Sequence, residues 1–134
     1  MAEDKVLDIY LYALTRYVAQ VPGDSVGITL VVPGAVVRGN LIGHETWTAA
    51  WAVQMRAWGQ GTGVETVAQL PDQVERLSEA VRREQGLDAA ADAGHKEFLH
   101  LRDAIITNGS PATSISGVLW RGRIADVSGW SMGA

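Results

Sequence analysis

The chain has 134 residues and no cysteine, which excludes disulfides, thiolate metal sites and a cysteine nucleophile. At 47% hydrophobic and 19% charged, with mean hydropathy +0.05, it is too apolar for a disordered tail, yet it lacks the run of about 18 apolar residues that a membrane span needs. The net charge of −4 argues against phosphate-driven nucleic-acid binding, and Met1-Ala2-Glu3-Asp4-Lys5 has no signal-peptide pattern, so one cytoplasmic domain is expected.

Residues 4–19 read as an amphipathic helix, with Val6, Leu7, Tyr10, Leu11, Leu14, Tyr17 and Val18 on one stripe. Val21-Pro22-Gly23-Asp24 ends it. The period then changes to two, placing Val26, Ile28, Leu30 and Val32 on one face of a strand. Pro33-Gly34 is a turn signal, and a β-type run resumes to Gly43, so a hairpin spans 25–43. Gly39 within its second strand marks a bulge, a sharp bend or an edge irregularity.

A helical stretch follows from His44 to Trp58, with Trp47, Trp51, Met55 and Trp58 on one face, and Gly59-Gln60-Gly61-Thr62-Gly63 is expected to break it. A second helix is predicted over 64–84, striped by Val67, Leu70, Val74, Leu77 and Val81, with Pro71 forcing a kink or a restart and Asp72 in the new first turn. Together these form a helical insertion at about 44–85, followed by a polar connector at about 86–97. Residues 65–97 hold eight acidic and four basic groups, so the negative excess is concentrated in the middle of the chain. Strand signals return at Phe98–Thr107 and again over Ile115–Val127, after which Gly129-Trp130 is read as capping a short tail.

The residues do not assemble into a known catalytic pattern. His44, His95 and His100 include no pair at i, i+4, so a zinc-protease helix is absent; no Gly-x-Ser-x-Gly elbow is present, and the Gly59–Gly63 stretch lacks a following Lys-Ser or Lys-Thr. His100 alternates with Leu99 and Leu101 and reads as a solvent-facing or hydrogen-bonded histidine on the less apolar face of its strand. An enzymatic reading would have to use His100, Arg102 and Asp103, and alternation puts Asp103 on the other face. No enzyme, metal or cofactor is expected. The five tryptophans offer a different prospect: Trp47, Trp51 and Trp58, with Trp120 and Trp130, are either core packing or anchors of a protein interface.

Two resemblances follow from particular segments. The leading helix, the hairpin ITLVVPGAVVRGNLIG, the strand FLHLRDAIIT and the segment VLWRGRIADV resemble the Sm-like fold, a small, strongly bent five-stranded antiparallel barrel. That resemblance implies an α+β class, ring formation through edge strands and, as an alternative, RNA binding. Only Arg121 and Gly122 match RNA-contacting positions, because Gly43-His44-Glu45-Thr46-Trp47 stands where the Sm loop has its Asp and Asn. Over nearly the whole chain the sequence is similar to the gas vesicle accessory protein GvpU family, through GAVVRGNLIG, EFLHLRDAII and above all GVLWRGRIADVSGWSMG, residues 117–133. Arg123, Asp126 and Ser128 replace the Lys, Glu and Asp of that family pattern. This resemblance implies a cytoplasmic accessory protein acting without catalysis on gas vesicles, in assembly or clustering. The exposed edges of a single Sm-like domain, the tryptophan excess and the segregated charge add the expectation of a homo-oligomer that binds shell or other accessory proteins.

Overall fold

Five strands and three helices make up the computed structural model, which describes residues 8–62, 65–85, 98–109 and 115–134. It divides into two compact units, Met1–Trp47 with Lys96–Ala134, and Thr48–His95. The first unit holds helix α1 (Ile9–Gln20) and strands β1 (Val26–Val32), β2 (Ala35–Ile42), β3 (Phe98–Thr107), β4 (Ile115–Arg123) and β5 (Gly129–Met132). Every strand pair is antiparallel, in the order β4-β3-β2-β1-β5, which makes this the α+β, five-stranded antiparallel class that the sequence predicts.

The hairpin forms as expected, with Val32 opposite Ala35 and Gly34 at φ +81°, a backbone state that costs glycine nothing. Alternation sends Ile28 and Leu30 of β1, Val37 and Leu41 of β2, and Leu99, Leu101 and Ala104 of β3 to one face, where all are buried. Leu11 and Val18 of α1 and Ile124 close over them. Asp8 caps α1, its Oδ1 accepting the Leu11 N–H at 3.1 Å. The expected α1 stripe needs correction: Tyr10 and Tyr17 are exposed, and Leu11, Leu14 and Val18 face the sheet. Each tyrosine precedes a buried residue and is rotated from it by about 100°, which keeps its ring off the core and lets the Tyr17 hydroxyl donate to Asp24 Oδ2. Val6 and Leu7 lie outside the described residues.

The irregularity signalled by Gly39 is present, but the extra residue is on β3. Arg38 pairs with Ile105 and Asn40 with Arg102, so Gly39 faces two residues, Asp103 and Ala104. Asp103 takes φ +52°, and this left-handed step lets both Leu101 and Ala104, three positions apart, point into the core. Gly39 makes the approach possible: a Cβ there would lie 3.0 Å from the Ala104 Cα and 3.1 Å from the Arg102 oxygen.

The C-terminal segment also differs from expectation. A single strand over 115–127 is replaced by β4, a 3-10 turn at Ile124–Asp126, and β5. Gly129-Trp130 is therefore part of a strand rather than a cap. The turn buries Ile124, and β5 is held to β1 by Gly133 N–H on the Gly27 oxygen at 2.7 Å, Ser128 N–H on the Val31 oxygen at 2.9 Å and Thr29 Oγ1–H on the Gly133 oxygen at 2.8 Å. A four-residue strand carries too little periodicity to be seen without its partner.

Helix α2 (His44–Thr62) runs beyond the predicted break, through Gly59 and Gly61. Glycine costs a helix only about 1 kcal/mol relative to alanine, so two of them weaken it without ending it. In the second unit a 3-10 segment at Glu65–Gln69 leads into α3 (Leu70–Gln85), with Pro71 and Asp72 in its first turn, the restart that the proline predicts. The polar connector at 86–97 lies outside the described residues.

The bulge gives a direct test. Asp103→Gly is expected to keep or slightly raise stability, whereas Asp103→Val should lower it by about 1–2 kcal/mol, since a β-branched residue resists positive φ. Urea denaturation followed by circular dichroism reads both, and equal stability of the two variants would contradict the bulge.

Candidate functional site

The Trp120-Arg121-Gly122 segment of β4 divides its side chains between the two sheet faces. Trp120 lies opposite Leu101 and Gly122 opposite Leu99, both on the core face. The indole lies across the glycine: a Cβ built on Gly122 would be 2.2 Å from the Trp120 ring. Arg121 takes the other face, in register with His100, which is in turn opposite Ile42. The Arg121 guanidinium stacks 3.8 Å from the Phe98 ring centroid, and its Nε–H donates to His100 Nε2 at 3.2 Å. Burial pushes its pKa below the usual arginine range.

His100 is 3% exposed, so of the two sequence readings it is the hydrogen-bonded one. Leu99 and Leu101 occupy the core face beside it, and the start of α2 covers its own face: His44 Nδ1 lies 3.2 Å from His100 Nε2, and the Trp47 ring centroid is 5.3 Å from the imidazole. The Arg121 donation makes His100 Nε2 an acceptor, which requires a neutral ring with its proton on Nδ1. Gly43 allows α2 to begin here, since a Cβ would lie 2.9 Å from the Val18 oxygen at the end of α1. The cluster of His44, His100, Arg121, Trp47 and Phe98 is not apparent in the sequence, because His44 and His100 are 56 residues apart. Only the β2–β3–β4 register aligns Ile42, His100 and Arg121.

The arrangement joins β3, β4 and the start of α2 by packing and hydrogen bonds. Among the described residues no group of three or more histidine, aspartate or glutamate side chains could hold a metal. Of the residues considered for catalysis, His100 meets His44 and Arg121, Arg102 sits opposite Asn40, and Asp103 occupies the exposed bulge.

The tryptophans serve both units. Trp120 and Trp130 are partly buried against the core, and Trp47 is half-buried beside His100. Trp130 lies opposite Leu30, and its indole N–H donates to Asp8 Oδ2 at 2.8 Å, tying β5 to the cap of α1. That bond, with the Leu11 N–H, holds the Asp8 carboxyl below the usual carboxylate range. In the second unit Trp51 is half-buried and Trp58 is 53% exposed.

A family model described as gas vesicle protein GvpU-like matches residues 8–134. The chain belongs to this family. The match covers both units, and the GvpU-like family is a gas vesicle family, not a known enzyme family. No curated protein and no solved structure matches the chain. No helix among the described residues is long and apolar enough to cross a membrane. The segments of GvpU resemblance correspond to structural elements: residues 34–43 are the hairpin turn and β2, and residues 117–133 run from β4 through the Ile124 turn to β5.

Two measurements test this site. Gly122→Ala forces a methyl into the Trp120 ring and should cost about 1–3 kcal/mol, accompanied by a change in near-UV circular dichroism from the displaced indole. Because the folded-state pKa of Asp8 is depressed, its contribution is present above the unfolded value of 3.8 and is lost as pH falls through the folded one. Asp8→Asn, which can still cap the helix, should therefore melt below wild type at neutral pH and converge with it in acid; a constant gap would contradict the ionised Trp130–Asp8 bond.

Proposed function

We propose that this GvpU-like protein acts as a non-catalytic gas vesicle accessory protein, by self-association and protein binding in vesicle assembly or clustering. The observation that carries this reading is the sheet order. β4 and β5 are its two ends, and each pairs on one side only among the described residues. Unpaired strand edges are templates for another chain, and joining unlike edges of successive copies closes rings or extends chains. The first unit corresponds in this reading to an Sm-like body, with residues 48–95 as an excursion from it. The exposed Asp72, Glu75 and Glu79 of α3 add acidic groups whose contacts weaken in salt. Arg121, the residue that RNA binding would use, is exposed and stacked on Phe98, so the preference for protein over RNA is supported by the net charge of −4.

Antiparallel alternation identifies the outward-pointing groups of β5. With Gly133 N–H on Gly27, the N–H groups of Trp130 and Met132 point away from β1. Met132 is 59% exposed, so Met132→Pro removes one of these donors while leaving the β1 pairing intact. Wild type at micromolar concentration should sediment as an oligomer and co-float with isolated gas vesicles, and Met132→Pro should shift towards monomer. A wild type that remains monomeric from low to high salt would refute the self-association half of this reading.

A further inference from the structure

All the arginines of the strands lie on the sheet face that turns away from the core. His100 and Arg121 are opposite each other on that face, so the period of two adds Arg102 on β3 and Arg123 on β4. Asn40 is opposite Arg102, which adds Arg38 on β2. The strands hold no lysine, and their one acid, Asp103, occupies the bulge. Arg38, Arg121 and Arg123 are exposed and Arg102 is half-buried; among the described residues none of these arginines meets a carboxylate. A chain of net charge −4 thus carries a local excess of positive charge across β2, β3 and β4. We propose that this face docks an acidic polypeptide segment of a partner protein.

Spacing and side-chain chemistry identify the occupant. Arg38, Arg102 and Arg121 run diagonally over three strands, each step crossing one strand and two residues, or about 7–8 Å. An extended chain repeats its side chains on one face every 6.8 Å or so, about the same interval. Carboxylates on alternate residues therefore reach successive guanidinium groups, whose planar forks match them with paired hydrogen bonds. Nucleic acid fits less well. Protein surfaces that hold single strands stack bases on exposed aromatic rings. The one aromatic on this face of the sheet, Phe98, is covered by the Arg121 guanidinium, and the cross-strand neighbours of Arg38 and Arg102 are Thr29, Ile105 and Asn40. Because salt screens charges beyond about 8 Å, an approaching carboxylate meets the field of the arginines beneath it rather than that of the whole chain. The inference rests on the protein-binding part of the function proposed above, and gives it a site and a partner chemistry separate from the sheet edges.

The test titrates the full-length protein into fluorescently labelled poly-glutamate and follows anisotropy at low salt. Wild type should bind this peptide and not poly-glutamine of equal length. Combining Arg38→Gln with Arg102→Gln should weaken binding about tenfold, and Arg123→Gln, at the end of β4, should weaken it in the same direction. Arg16→Gln combined with Arg56→Gln removes as much charge from exposed positions of α1 and α2 and should leave the affinity unchanged. An equal loss in both double variants would mean a response to net charge alone and overturn the proposal, as would absence of poly-glutamate binding. Tighter binding of oligouridylate, lost with Arg38 and Arg102, would give the face to nucleic acid and also overturn it. Co-flotation with isolated gas vesicles separates this site from the proposed function. A wild type that co-floats without binding poly-glutamate loses the site alone. One that binds poly-glutamate through Arg38 and Arg102, yet neither co-floats nor self-associates, keeps the site and loses the function.

Discussion

The register between β2 and β3 is the constraint on which the rest of the first unit depends. Leu41 opposite Leu101 and Ile42 opposite His100 settle which side chains reach the core and which reach the opposite face. A slip of one residue would exchange the two sets, burying Arg102 and exposing two leucines. The register cannot continue unchanged along β3, because Ala104 must also face inward, three positions after Leu101. The left-handed step at Asp103 supplies the missing half-period, and Gly39 leaves the space for it.

From that register the GvpU-like segment of β4 acquires a physical meaning. Trp120 needs a neighbour without a side chain at Gly122 to lie flat on the core, and this obliges Arg121 to point the other way. There it meets His100, whose Nε2 accepts from it beneath the start of α2. The three residues are therefore one packing device. Arg121 donates its Nε–H to His100 and stacks on Phe98, and His100 also meets His44.

Much of this was legible in the sequence where a pattern repeats locally. The 25–43 hairpin, the strand at 98–107 and the restart at Pro71 all depend on neighbours within a few residues, and all appear where expected. What escaped depends on distant partners. β5 exists because β1 has a free edge for it, the buried side of α1 is chosen by the sheet, and His44 meets His100 only through the β2–β3 pairing. The run of α2 through Gly59 and Gly61 shows a further limit: a residue that disfavours helix lowers its stability by an amount that packing can offset. The tryptophan stripe was readable as a stripe, but the degree of cover, from half-buried Trp51 to mostly exposed Trp58, is a property of the folded unit.

Burial of β3 on both faces at Leu99, His100 and Leu101 sets a gradient of rigidity across the sheet. Amide hydrogens near that point are shielded from water by strands on either side, while those of the outermost strands are held by one neighbour. The molecule can thus lend its margins to a new contact, or withdraw them, without disturbing the pairing that defines its topology. The sheet is thus divided into a fixed centre and a negotiable periphery.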